Sequence, residues 1–193
     1  MKDTEPILNM IDKSSAIELG KENGILEPIA ELNIFRTLLK HPKLASAISN
    51  LIGVLLFQNK LEPKLRELII LRTGWIYKCN YEWTHHYDIA KAFKVSEDKI
   101  LSIRKEQPDS DIFDDLELLI IKAVDELKQN EKLSKDTACN LLASFDGVED
   151  KEQKFLEIMG TMTTWKLISQ LLNSLNIQLE DHLKDWPPDG KSL

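Results

Sequence analysis

The sequence predicts an all-α protein, and three observations carry that prediction. Apolar residues recur at spacings of three and four through most of the chain from Leu32 onward. Leu, Ile, Lys, Glu and Asp dominate the composition, a mix suited to helices. Only seven Gly and seven Pro interrupt 193 residues, too few for the tight turns of an all-β protein.

The elements follow in order. Residues 1–30 lack a sustained period and are broken by Gly20, Gly24 and Pro28. They are expected to form an N-terminal arm that packs on a core or on a neighbour. Asn33–Leu39 reads as a short helix stopped before Pro42, and Leu44–Phe57 as the most apolar helix. After a loop at Gln58–Glu62, Pro63 suits a first helical position. Leu65, Leu68, Ile69, Arg72, Trp75 and Ile76 then predict an amphipathic helix over Lys64–Tyr77.

A break near Cys79–Asn80 leads into a helix reaching about Phe93. Ser96 is placed to cap Glu97–Arg104, and Gln107–Asp111 is a loop. Ile112–Gln129 carries a stripe of Leu116, Leu119, Ile120, Ala123, Val124 and Leu127. Ser134 caps a helix to Phe145, and Gly147 marks a turn. A long helix is expected from Glu149 to about Ile177, kinked near Gly160. The Pro/Gly-rich end, 184–193, is expected to be loose. The expected organisation is an arm at 1–30, one domain at 31–183 and a tail at 184–193.

Composition bounds the function. Lysine plus arginine is 25 against 32 acids, giving a net charge of −7 and a pI near 5.2. That disfavours nucleic acid and anionic membrane as partners. The longest mostly apolar stretch, Ala47–Phe57, is shorter than a transmembrane helix needs. The N-terminus has two acids in its first five residues and no long apolar run, so a secretory leader is not expected. Cys79 and Cys139 make no disulfide framework, which fits a reducing cytoplasm.

Residues 67–93, ELIILRTGWIYKCNYEWTHHYDIAKAF, hold the chemistry-bearing side chains. Cys79, Glu82 and His86 stand at i, i+3 and i+7, one stripe if all three are helical. Cys79 falls near the helix N-terminus, where the dipole favours a thiolate, while an ionised Glu82 opposes it. Glu67 lies one helix earlier. If the two helices fold back on each other its carboxylate can reach His86, fix the tautomer and raise the basicity. Each has a plainer reading. Cys79 is equally at home as core filler, and Glu67 beside Arg66 as half of a surface ion pair. His85 and His86 point about 100° apart, so one of them at most should face the stripe. Trp75 and Trp83 suit packing, and Cys139 among Ala138, Leu141 and Leu142 reads as structural. Glu82 with His85 has the spacing of a di-iron helix. Neither His41 nor His182 has an acid three residues before it, so no metal site is expected.

On these residues the chain resembles the carboxymuconolactone decarboxylase family, which includes the alkylhydroperoxidase D proteins. The resemblance spans roughly residues 32–183. It rests on LEPKLRELIILRTGWIYKCNYEWTHHYDIAKAF, on VSEDKI, and on the later FLEIMGTMTTWKLISQLLNSLNIQLED. It implies an all-α, alkylhydroperoxidase D-like orthogonal helix bundle and a homo-oligomer, commonly a trimer or hexamer. In the peroxidase branch a Cys-x-x-Cys-x-x-x-His motif cycles between dithiol and disulfide with an upstream Glu. Cys79, His86 and Glu67 match three of those positions, but Glu82 replaces the second cysteine. In the decarboxylase branch the stretch carries Glu-x-x-x-His, which Glu82 and His86 match.

Three functions are therefore expected to compete. The first is antioxidant, peroxiredoxin-type hydroperoxide reduction through Cys79. Here Glu67, His86 and either Glu82 or Tyr81 manage protons, and Cys139 or another thiol reductant resolves the sulfenic acid. The second is acid–base chemistry without redox on a lactone or carboxylic acid. One of Glu82 and His86 moves a proton, while the other or Arg72 holds a carboxylate. The third is a non-catalytic oligomeric member that binds a small ligand. None of them calls for a cofactor.

Overall fold

The computed structural model describes residues 5–193. The first four residues of the expected arm, and with them part of the stretch read for a leader, lie outside the described residues. Ten α-helices and one 3-10 turn are described. They are α1 (Lys13–Glu22), α2 (Glu27–Ala30), α3 (Asn33–Leu38), α4 (Pro42–Phe57) and α5 (Pro63–Ile76). They continue with α6 (Asn80–Ala92), α7 (Glu97–Ser102), α8 (Asp115–Asn130), α9 (Lys135–Ala143) and α10 (Lys151–Leu175). Among the described residues there is no strand, and no helix is long and apolar enough to cross a membrane.

Helix α5 is the axis of the molecule, packed by α6, α8 and α10. The predicted amphipathic helix is instead buried on every side: each residue from Leu65 to Trp75 is buried. Its polar members survive inside because they are paired. Arg66 meets Glu67, and Arg72 forms two bonds of 2.7 Å to Asp125. Glycine at position 74 lets α6 come close, since a Cβ there would meet the backbone N of Trp83 at 3.2 Å and the Cβ of Glu82 at 3.3 Å.

The other differences have local causes. Residues 13–22 form a helix that weak periodicity hid, because Asp12 accepts the Ser15 N–H and so caps it. Helix α8 begins at Asp115 rather than Ile112. Asp114 and Glu117 form a reciprocal capping box there, and Ser110–Ile112 is a 3-10 turn. Helix α10 runs unbroken through Gly160. That glycine serves a close approach instead, as its Cβ would stand 3.2 Å from a methyl of Leu55 on α4. The expected loose end is tied down. Asn80 donates to Asp185 at 2.6 Å, the Trp83 indole to the Pro187 carbonyl at 2.7 Å, and Arg104 to Asp189 at 2.9 Å.

Candidate functional site

Helices α5 and α6 form an antiparallel hairpin because Lys78 takes a left-handed conformation (φ 53°) between them. The hairpin brings Glu67 and His86 together. His86 Nδ1–H donates to Glu67 Oε2 at 2.7 Å in a buried setting. Glu67 Oε1 accepts from Arg66 Nε at 3.0 Å, and Arg66 also donates to the Leu56 carbonyl at 3.0 Å. The guanidinium further covers the ring of Phe93. The remaining imidazole nitrogen, His86 Nε2, lies 3.5 Å from Glu82 Oε2 one turn back on α6. Trp165 of α10 stands edge-on to His86, with ring centroids 5.7 Å apart. An arginine, a glutamate, a histidine and a second glutamate thus form one connected chain.

The free end of that chain opens on a cavity of about 220 Å³. Glu82, His86 and Ile89 of α6 belong to its wall, which also draws on α2, α3, α4, α10 and Leu32. Phe35, Ile52, Leu56 and Ile168 give it an apolar lining. Tyr81 and His85 also reach it, but both are held from outside. Tyr81 donates to Glu180 Oε1 at 2.6 Å, and His85 Nε2 meets Glu180 Oε2 at 2.6 Å. The Asn33 N–H completes the cradle at 2.9 Å.

The electrostatics follow from burial and pairing. Burial pushes the Glu82 carboxyl up from its ordinary value, only partly offset by His86, His85 and the Trp165 N–H. Burial alone would lower the His86 value. The charge and hydrogen bond of Glu67, with Glu82 adding, override it and the net direction is up. Both members of the pair therefore hold a proton to higher pH than they would in water. Glu180 moves the other way, down to about 2. Burial opposes that shift, but the bonds from His85, Asn33 and Tyr81 outweigh it.

Cys79 does not join this set. It is the residue before the first turn of α6, so the i, i+3, i+7 stripe loses its first member. Its side chain is fully buried in the apolar cluster that includes Leu39, Ile168 and Leu172, and it does not line the cavity. Burial and then the Glu82 charge push the thiol up to about 12, despite the N–H groups of Glu82 and Tyr81 and the Ser169 hydroxyl beside it. Arg72 is also elsewhere. Besides Asp125 it donates to the carbonyls of Ile103 and Lys105, so it cannot hold a carboxylate in the cavity. Cys139 is exposed. Among the described residues no group of three or more His, Cys, Asp or Glu is placed to hold a metal ion.

Two participants escaped sequence reasoning. Glu180 follows α10 and is 95 residues from His85, with no spacing to announce it. Trp165 had a faint signal, as an aromatic in a helix already singled out.

Comparison with known proteins agrees with this architecture. Residues 42–107 match the carboxymuconolactone decarboxylase family. No curated protein matches the chain by sequence. An uncharacterized peroxidase-related protein from Silicibacter sp. TM1040 superposes with a TM-score of 0.69 at 12% identity, over 91% of this chain and 90% of that one. The alkylhydroperoxidase AhpD core of an uncharacterized peroxidase-related protein from Ralstonia eutropha JMP134 gives 0.69 at 14% identity, over 91% and 93%.

Proposed function

We propose, for a chain whose 42–107 segment is of the carboxymuconolactone decarboxylase family and whose fold is alkylhydroperoxidase D-like, that the site is a general acid–base centre. The reaction is proton transfer next to a carbonyl, without redox. The observation that carries this reading is the relay itself: Glu67 holds His86 by Nδ1, and Nε2 and Glu82 face an apolar cavity together.

The roles follow from the geometry. The Glu82 carboxylate takes a proton from the carbon next to the carbonyl. His86 Nε2–H donates to the carbonyl oxygen as negative charge develops there. Glu67, braced by Arg66, fixes the tautomer and stabilises the imidazolium. Return of the proton to the same or a conjugated carbon regenerates both groups. The apolar wall strengthens each of these interactions by excluding water.

The test is exchange of α-hydrogens for deuterium in small ketones and lactones, followed by NMR. Glu82→Gln and His86→Ala are each expected to slow exchange by about 10²–10⁴-fold. Exchange that is enzyme-dependent yet indifferent to both substitutions overturns the reading.

A second reading is thiol-dependent hydroperoxide reduction at Cys79. What favours it is a cysteine immediately before α6, with the N–H groups of Glu82 and Tyr81 beside its sulfur. The two superposed proteins are also described as peroxidase-related. The Cys79 thiolate attacks one peroxide oxygen, the O–O bond breaks, and an alcohol leaves with a proton. A sulfenic acid remains on sulfur for an external thiol to reduce. Intact-mass analysis after cumene hydroperoxide and a sulfenic-acid trap decides it. A fast adduct lost in Cys79→Ser supports this reading, and an unmodified Cys79 removes it.

A further inference from the structure

We propose that the cavity admits neutral, predominantly hydrocarbon molecules and excludes carboxylates, so that the substrate is an uncharged carbonyl compound. The inference rests on the acid–base reading and names its substrate class.

The first argument is charge. Among the described residues no lysine or arginine belongs to the cavity wall. The nearby guanidinium of Arg66 is taken up by Glu67 and the Leu56 carbonyl, and Arg72 by Asp125. With every member ionised, Arg66, Glu67, His86 and Glu82 carry two positive and two negative charges, which cancel. His85 is turned to Glu180. A carboxylate entering this space would lose its water, find no free cation among the described residues and lie beside Glu82. A neutral carbonyl has no such penalty, and its oxygen finds the His86 N–H.

The second argument is size and lining. Apolar side chains from α2, α3, α4, α6 and α10, with Leu32, make most of the wall. An apolar cavity of about 150 Å³ holds benzene, so about 220 Å³ takes a ring with a short substituent. Ile29, Phe35, Ile52 and Phe57 also belong to the wall of a second hollow of about 170 Å³.

Acetophenone and benzoate test the proposal, because they share a shape and differ in charge. Isothermal calorimetry on the full chain at pH 7 is expected to show acetophenone binding and benzoate at least about 100-fold weaker. Acetophenone is also expected to change tryptophan emission, and Trp165→Phe to remove that change. Phe57→Lys then places an ammonium at the mouth, where Phe57 is 74% exposed and its loss leaves the core intact. It is expected to raise benzoate affinity about 10-fold. Equal binding of the two probes, no binding of either, or benzoate affinity unmoved by Phe57→Lys overturns the proposal. Failure of the acid–base reading looks different: acetophenone binds but its methyl hydrogens do not exchange.

Discussion

Gly74 and Glu82 face each other across the α5–α6 contact so closely that a Cβ on Gly74 would stand 3.3 Å from the Cβ of Glu82. The absent side chain is therefore a condition for where the proposed base sits. Gly74→Ala is expected to push α6 outward and cost about 1–3 kcal/mol in urea unfolding. Gly53→Ala is the control, since among the described residues nothing beyond its own stretch of helix lies within 4 Å of its Cβ position. That helical substitution should be neutral or stabilising by up to about 1 kcal/mol. Equal effects at the two sites would show that the close approach is not tight.

Glu67→Gln tests the brace on the imidazole. Without the carboxylate charge, burial dominates and the His86 value falls. In the proposed mechanism activity needs ionised Glu82 and protonated His86. Both values are raised, so the acid limb lies above 4.5 and the alkaline limb above 6.5. Glu67→Gln should draw the alkaline limb down, seen both in the rate profile and in NMR titration of the imidazole. Glu67→Ala also leaves the buried Arg66 unpaired and should cost about 3–5 kcal/mol.

Cys79 and Cys139 should differ sharply toward an aromatic disulfide reagent. Cys139 is exposed and should react at once at pH 8. Cys79 is buried with its thiol pushed up to about 12, so it should react slowly and track unfolding. Rapid modification in a Cys139→Ser background would return the thiol to the centre of the functional question.

Glu180 predicts a specific acid sensitivity. Its folded value of about 2 lies below the ordinary 4.5. Its stabilising contribution is therefore complete above about 4.5 and is lost as pH falls from there toward about 2. Glu82, raised instead, contributes in the opposite sense and favours the fold at low pH. Glu180→Gln should flatten the acid side of the stability curve without moving the neutral plateau's shape. Thermal melts at half-unit pH steps between 2 and 7 measure this.

The sequence made the helices legible because their periods and caps are local properties. Pro63, Ser96 and Ser134 open helices where expected, and the ends agree closely for α3, α5 and α6. Glu67, Glu82 and His86 were legible for a related reason: spacing within α6 and one hairpin suffice to join them. Burial all round α5 was not legible, since Arg66 and Glu67 look like a surface ion pair until their surroundings are known. Cys79 misled because it fits the stripe by number while standing outside the helix, where its side chain turns into the core. Glu180 could not be found at all, as only the course of the chain after α10 brings it to Tyr81 and His85.

The complete enclosure of α5 has a consequence for how the molecule breathes. Amides in its middle can exchange with solvent only when the whole domain opens, so they should be the slowest in a deuterium-exchange experiment. Glu67 rides on that immobile rod. Glu82 and His86 ride on α6, whose outer ties run to Glu180, Asp185 and Pro187 near the chain end. The α5 side of the relay is an anvil, and any movement that admits a molecule must come from α6 or from the helices that close the cavity over it.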